Sequence, residues 1–215
     1  MKTIFVNGLS GKMGTAIQSL VSNESGFKIV NTAIDSDLII DFSRPESTMH
    51  LLQEAEAHSK PMIIGTTGFS QNEIKLIEKA SKKIPIVLSY NMSKGIYYFK
   101  KNIKQFLENN SDSFKCLITE THHTEKVDAP SGTAIELKEL IELNNDQKHI
   151  TTIEIESKRI SDVFGIHEII FFNDIDHLSF KHEALSRNIF ADGALFIAKL
   201  LNSKSPGMYS VQDFF

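Results

Sequence analysis

The feature that most constrains this chain is a repeated rhythm over residues 1–92. Short apolar runs end in glycine or a small polar residue, and a stretch with helical spacing follows each. "TIFVNG" (Thr3 to Gly8) is β-branched and glycine-stopped, as a strand inside a sheet requires. Met13, Ala16, Ile17, Leu20 and Val21 then recur at the i, i+3, i+4, i+7, i+8 spacing of a helix that buries one face. "DLIIDF" (Asp37 to Phe42), "PMIIGTTG" (Pro61 to Gly68) and "IPIVLSYN" (Ile84 to Asn91) read as further strands. Ser43 with Glu46, and Ser70 with Glu73, have capping-box spacing, and Pro45 fits a first helical turn. Strands alternating with helices imply parallel pairing and right-handed crossovers, so the expected fold is α/β with a Rossmann-like doubly wound parallel sheet.

The rhythm then changes. A helix with Ile96, Phe99, Ile103, Phe106 and Leu107 on one face precedes the strand "FKCLITET", and a second helix runs from Ala134 to Leu143. "ITTIEIES", "IHEIIFFN" and "HLSFKHE" follow with no helix between them, which predicts an α+β second domain with a mixed, largely antiparallel sheet. Phe190, Ala194, Ile197 and Leu201 mark a last helix. A length of 215 residues accommodates one or two domains.

Charge and composition exclude several roles. A net charge of -4 with dispersed lysines gives no footprint for a phosphate backbone, so nucleic acid is not an expected partner. No apolar run approaches the roughly 20 residues of a membrane span. "MKTIFVNGLSG" reaches glycine too soon for a signal peptide, so a cytoplasmic location is expected. Cys116 is the single cysteine, which rules out an internal disulfide and a cysteine metal cage.

Two stretches carry chemistry. In "NGLSGKMG" the glycines fall at Gly8, Gly11 and Gly14, between a strand and a helix, where backbone N–H groups and the helix end can hold a pyrophosphate. The same glycines could also serve close helix–sheet packing, but the small polar residues at Gly65, Thr66 and Thr67 and at Asn91 fall at the same carboxyl edge, which favours binding. In "THHTEKVDAPSGTA" (Thr121 to Ala134), a strand through Thr121 sends His122 and His123 to opposite faces, so the two have different roles. Divergence also argues against zinc shared by His122, His123 and Asp128. His122 or His123 is a proton carrier near neutral pH, and Lys126 adds a cation or an acid. "SGT" leads into a helix N-terminus, which contributes only about 0.3 to 1 kcal/mol toward an anion, while micromolar affinity needs about 8 kcal/mol. With a histidine and a lysine added, the cluster suits a carboxylate with a proton source beside it. Thr133 with Glu136 is also spaced as a capping box, so helix initiation stays open as its role.

These residues resemble the 4-hydroxy-tetrahydrodipicolinate reductases of bacterial lysine and diaminopimelate synthesis. "VNGLSGKMG", "IIDFSRPES", "IIGTTG", "SYNMSKGI", "ETHHTEKVDAPSGTA" and "HEALSRNIFADGAL" occur in family order along nearly the whole chain. The resemblance implies a dinucleotide-binding domain of residues 1–92 completed by 187–215, and a substrate-binding and tetramerisation domain of 93–186. It implies His122 as general acid/base, Lys126 as proton donor, and His123, Ser131, Gly132 and Thr133 as contacts to substrate carboxylates. The cofactor would lie on Gly8, Leu9, Ser10, Gly11, Lys12 and Met13, on Gly65, Thr66 and Thr67, and on Ser89, Tyr90, Asn91 and Met92. The family reduces a cyclic dicarboxylate with a reduced nicotinamide and is commonly a homotetramer, with hinges expected near Met92 to Gly95 and at Arg187. A reductase of another small dicarboxylate and a catalytically silent dinucleotide sensor stay open as alternatives.

The chain departs from the family pattern twice. Only "NTAIDSD" (residues 31–37) separates "FKIV" from the next strand, so a helix and its loop are missing. Asp35 falls where an acidic residue meets the adenosine ribose and repels a 2′-phosphate, whereas Lys12 acts the other way, so use of both NADH and NADPH is expected. Ser161 and Asp162 stand where the family has two glycines.

Overall fold

Apolar strands without alternation must be covered on both faces, and the computed structural model, which describes residues 1–22, 26–146 and 148–215, shows how. The chain divides into two compact units, Met1–Ser93 with Arg187–Phe215, and Lys94–Ser186.

In the first unit, β1 (Lys2–Asn7), β2 (Phe27–Val30), β3 (Leu38–Asp41), β4 (Met62–Ile64), β5 (Pro85–Leu88) and β10 (Gly207–Tyr209) form a parallel sheet in the order β10-β5-β4-β3-β1-β2. One face packs on α1 (Lys12–Val21) and α6 (Asn188–Leu201), through Ile17, Ile4, Ile40, Ala194 and Leu201. The other packs on α2 (Pro45–Ala57) and α3 (Gln71–Ser81), through Leu52, Ala55, Ile64 and Ile77. This is the expected doubly wound fold. Strand β10 was not foreseen: "GMY" is too short to carry a strand signal by itself, and its pairing with β5 supplies the rest.

Residues 31–37 connect β2 to β3 without a helix. Parallel strands flanking a third ordinarily need a crossover of about a dozen residues. Here β2 and β3 are short, and the connection is anchored on β1 instead. Thr3 N–H donates to Asp37 Oδ2 at 2.7 Å, Thr3 Oγ1 donates to the Asp35 carbonyl at 3.2 Å, and Ala33 is buried against the α2/α3 face.

Helix starts follow the expected chemistry in one case and depart from it in two. Ser70 and Glu73 form a reciprocal capping box. Ser43 and Glu46 do not: Arg44 is the N-cap of α2, and Ser43 Oγ donates to Asp41 Oδ1 at 2.5 Å. In the second unit, Ser131 caps α5 (Gly132–Leu143) in place of Thr133, its Oγ accepting from Ala134 N–H at 3.2 Å.

That unit holds β6 (Phe114–His122), β7 (Ile150–Arg159), β8 (Ile166–Phe172) and β9 (His177–Glu183) in the order β7-β6-β8-β9. β6 pairs antiparallel with β8, and β8 with β9, but β6 and β7 are parallel because α5 carries the chain back between them. The sheet is therefore mixed. α4 (Lys94–Asn109) and α5 cover one face through Phe99, Ile103, Leu137 and Ile141. Cys116 lies in this core, and burial pushes its thiol up to about 12, so it is inert at neutral pH.

Candidate active site

Along β6 the core-facing residues are Phe114, Cys116, Ile118, Glu120 and His122. The first three are apolar, as packing requires. The last two are not, although Glu120 is 0% exposed and His122 9%. A carboxylate in such a place costs several kcal/mol unless it is fully paired.

Its partners come from its own strand and from β7. His122 Nδ1 bonds Glu120 Oε2, Arg159 Nη1 donates to Glu120 Oε1 at 3.0 Å, and Ser157 adds a side-chain hydrogen bond. Register explains the convergence: Ser157 and Arg159 on β7 stand beside Glu120 and His122, and His167 on β8 stands opposite Glu120. Burial pushes the Glu120 carboxyl up, but the hydrogen bonds from His122, Ser157 and Arg159 outweigh it and hold the group down at about 2. Glu120 is thus an anion that only accepts. The proton of the pair is therefore assigned to His122 Nδ1, and Nε2 is the nitrogen left for a ligand. Gly165 flanks that nitrogen, where an added Cβ would lie 3.2 Å from Nε2.

His167 packs edge-on against His122, ring centroids 5.0 Å apart, and its Nε2 is 3.3 Å from Ser131 Oγ. Burial, reinforced by the neighbouring His122, pushes it down to about 3, so it is neutral at physiological pH. Ser131 is 2% exposed, and its hydroxyl already serves Ala134 N–H and His167. What it offers a ligand is the backbone N–H at the α5 N-terminus, which it shares with Gly132 and Thr133. His123 follows the last residue of β6, half-buried, and its carbonyl accepts from Lys126 N–H at 3.1 Å. Lys126 Nζ is held by Asp128 Oδ1 at 2.8 Å.

Glu120, Arg159 and His167 were missed as site residues in the sequence. Glu120 and His122 at i, i+2 share a strand face, a visible signal. Arg159 and His167 join them through strand register, which the sequence does not display.

In the first unit the residues marked for a dinucleotide gather at the carboxyl ends of the parallel strands. Gly8 has φ +85, and a Cβ there would meet the Phe42 carbonyl at 2.5 Å. Gly11 is the N-cap of α1 and brings no side chain to the helix mouth, where Ser10 and Lys12 are exposed. Gly14 is the packing glycine, since a Cβ would lie 2.4 Å from Leu9 Cα. The three positions thus divide into tight turn, open N–H mouth and close packing, a cradle fit for a pyrophosphate. Leu9 and Met13 pack on the core behind it.

Other strands add to this edge. Gly65 lies under the Phe42 ring, Thr66 Oγ1 accepts from Ser43 N–H at 2.9 Å, and Thr67 is exposed. Buried Asp41, whose carboxyl burial pushes up, accepts from Asn7 Nδ2 at 3.1 Å. Beyond β5, Ser89 Oγ donates to the Asn91 carbonyl at 2.9 Å, Tyr90 is exposed, and Met92 is core at 1% exposure. Asp35 lies exposed on the 31–37 connection, accepting from Thr32 Oγ1 at 2.6 Å.

Solved structures share this fold. A dipicolinate-bound dihydrodipicolinate reductase from Paenisporosarcina sp. TG-14 superposes with TM-score 0.75 at 18% identity, over 98% of this chain and 97% of that one. An amine dehydrogenase from Mycobacterium smegmatis gives TM-score 0.66 at 7% identity, over 98% and 95%. At such identities the likeness speaks for the fold. The class they share with this chain is a doubly wound parallel-sheet unit joined to a separate mixed-sheet unit.

Sequence comparison narrows the class. Residues 95–215 match the family model for the dihydrodipicolinate reductase C-terminus, and residues 31–92 the model for its N-terminus. The 4-hydroxy-tetrahydrodipicolinate reductase of Rickettsia bellii is 39% identical over 99% of this chain and 94% of its own length. That of Alkaliphilus oremlandii is 33% identical over 98% and 97%. The chain belongs to the dihydrodipicolinate reductase family.

Proposed function

We propose that this protein reduces 4-hydroxy-tetrahydrodipicolinate to tetrahydrodipicolinate with a nicotinamide dinucleotide, in diaminopimelate and lysine biosynthesis. When bound, the reduced nicotinamide supplies the hydride. The chain's own residues bind the diacid, orient it and move the proton that accompanies loss of water. His122 is the acid/base, working through Nε2, and Lys126 the proton donor. His123 and the α5 mouth at Ser131, Gly132 and Thr133 receive the carboxylates. The observation that carries this reading is the commitment of His122 Nδ1 to a buried carboxylate, which leaves Nε2 beside side-chain-free Gly165.

The dinucleotide is assigned to the cradle from Gly8 to Met13, to Gly65, Thr66 and Thr67, and to Ser89 to Met92. Both NADH and NADPH serve: Asp35 disfavours the 2′-phosphate and exposed Lys12 favours it. A thousandfold difference between their kcat/KM values would reject dual use. A homotetramer is assigned to the second unit's sheet. Its face away from α4 and α5 carries Leu117, Ile170 and Phe172, half-buried and outside the helix-covered cluster. A cytoplasmic location is assigned with the rest of this reading; among the described residues no helix is long and apolar enough to cross a membrane.

The test is a coupled assay in which the freshly made dehydratase product is offered with either dinucleotide. Wild type oxidises the nicotinamide, while His122→Ala and Lys126→Ala lose about 10²-fold or more in kcat and still bind dinucleotide. No turnover by wild type would reject the assignment.

A further inference from the structure

We propose that Arg159 is a positioning residue of this reaction: one guanidinium holds both the carboxylate that orients His122 and the backbone of the loop that carries Lys126. The proposal rests on the reading of His122 and Lys126 given above, and extends it to a residue outside that pair.

Four acceptors surround the side chain. Nη1 donates to Glu120 Oε1 at 3.0 Å and to the Lys158 carbonyl at 2.8 Å, Nε donates to the Lys126 carbonyl at 3.3 Å, and Nη2 donates to the Asp128 carbonyl. Arg159 and His122 are register partners at the ends of β7 and β6, so the guanidinium lies where the strand gives way to the loop.

Both ends of this grip matter. Glu120 has no exposure to solvent, so its orientation is set by what it bonds, and His122 and Arg159 bond its two oxygens. A carboxylate held on one oxygen by a fixed guanidinium turns its other oxygen in one direction, and that direction fixes the imidazole. The loop from His123 to Pro130 has little core of its own: Val127 is 96% exposed and Asp128 and Ala129 are exposed too. Bonds to the carbonyls of residues 126 and 128 bracket Val127 and place Lys126 relative to the sheet. A guanidinium suits this task because its donors lie in one rigid plane, whereas an ammonium is a point on a flexible stem.

His122 is faced by Glu120 on its own strand, Arg159 from β7 and His167 from β8, with Lys126 on the adjoining loop. Removing Arg159 takes a hydrogen bond from Glu120, which then protonates at higher pH. Activity that depends on ionised Glu120 fails correspondingly sooner in acid.

The experiment uses the full chain as wild type, Arg159→Ala and Arg159→Lys. Arg159→Ala is expected to lose about 10²-fold in kcat, the scale of a small misplacement of reacting groups. Its dinucleotide affinity stays within about twofold, the acid limb of its kcat/KM profile moves toward neutral, and 15N spectra show His122 no longer confined to the Nδ1–H tautomer. Arg159→Lys keeps the acid limb near that of wild type but recovers kcat only in part, because one ammonium cannot hold both carbonyls. A wild-type kcat and pH profile in either folded variant, or an unchanged His122 tautomer in Arg159→Ala, overturns the proposal. Should Arg159→Ala not fold, Arg159→Lys decides, since a merely structural arginine leaves its kcat intact. Should wild type not turn over the dehydratase product, the functional reading falls, and the His122 tautomer in ligand-free protein still tests the arginine's grip.

Discussion

Glu120 and His167 stand directly opposite each other across β6 and β8, the first an anion and the second a neutral ring, although both are buried. The difference lies in their partners. Glu120 receives hydrogen bonds from a guanidinium, an imidazole and Ser157, which outweigh its burial, whereas His167 meets one hydroxyl and stays dominated by burial.

The depressed His167 group makes folding stability sensitive to mild acid. In the unfolded chain this imidazole gains a proton below about 6.5, and in the native state only near 3. Its contribution is therefore complete above about pH 6.5 and lost as pH falls, at about 1.4 kcal/mol per pH unit. Between pH 6.5 and 5 this amounts to about 2 kcal/mol. Urea unfolding of wild type and His167→Gln at both pH values should show a smaller acid loss in the variant. Glu120, also held below its unfolded value, adds to the decline only below about pH 4.5.

Gly165 marks the space beside His122 Nε2, the nitrogen proposed above to carry the acid/base role. A methyl group there lies 3.2 Å from Nε2, closer than ordinary contact, so the ring must tilt away from Glu120 or a ligand must sit further out. Gly165→Ala is expected to lower kcat about tenfold or more while dinucleotide affinity, measured by fluorescence titration, stays unchanged.

Gly193 is where α6 meets the segment after β5. An added Cβ would lie 1.8 Å from the Met92 carbonyl oxygen, an overlap with backbone that no rotamer relieves. Gly193→Ala should destabilise the protein by about 2 kcal/mol or more. With the dinucleotide on Ser89 to Met92 as proposed, it should also weaken dinucleotide binding, because Met92 and its neighbours must shift. Urea midpoint and dinucleotide titration check the two effects separately.

At Asp162 the chain keeps a glycine-like turn without glycine: φ is +63, the left-handed region that aspartate tolerates better than most residues. Asp162→Ala should cost about 1 kcal/mol. Asp162→Gly should fall within about 0.5 kcal/mol of wild type, since relief of the turn is offset by greater freedom of the unfolded chain. Thermal melts of the two variants distinguish these outcomes.

Fold class was legible because periodicity survives without tertiary context. Ile17 and Leu20, or Ile103 and Phe106, announce their helices by spacing alone. What stayed hidden depends on partners remote in sequence. β10 exists because β5 offers an open edge, and β7 runs parallel to β6 because α5 returns the chain. Ser43 was misread as a cap because a buried Asp41 competes for its hydroxyl, and Thr133 because the helix starts two residues earlier, on Ser131. At the site, His122 and Lys126 were visible as an unusual concentration of titratable groups. Arg159 and His167 were not, because their relevance is a matter of strand register.

The return of residues 187–215 to the first unit has a consequence for synthesis. Helix α6 covers one face of that sheet and β10 completes an edge, yet both emerge from the ribosome only after the whole of Lys94–Ser186. The contiguous second unit can mature while translation continues, whereas the nascent Met1–Ser93 portion waits with α1 as the only helix over the face that holds Ile4, Ile40 and Val87. Slow elongation through residues 94–186 would prolong that interval, when chaperone demand and misassociation between growing chains are greatest.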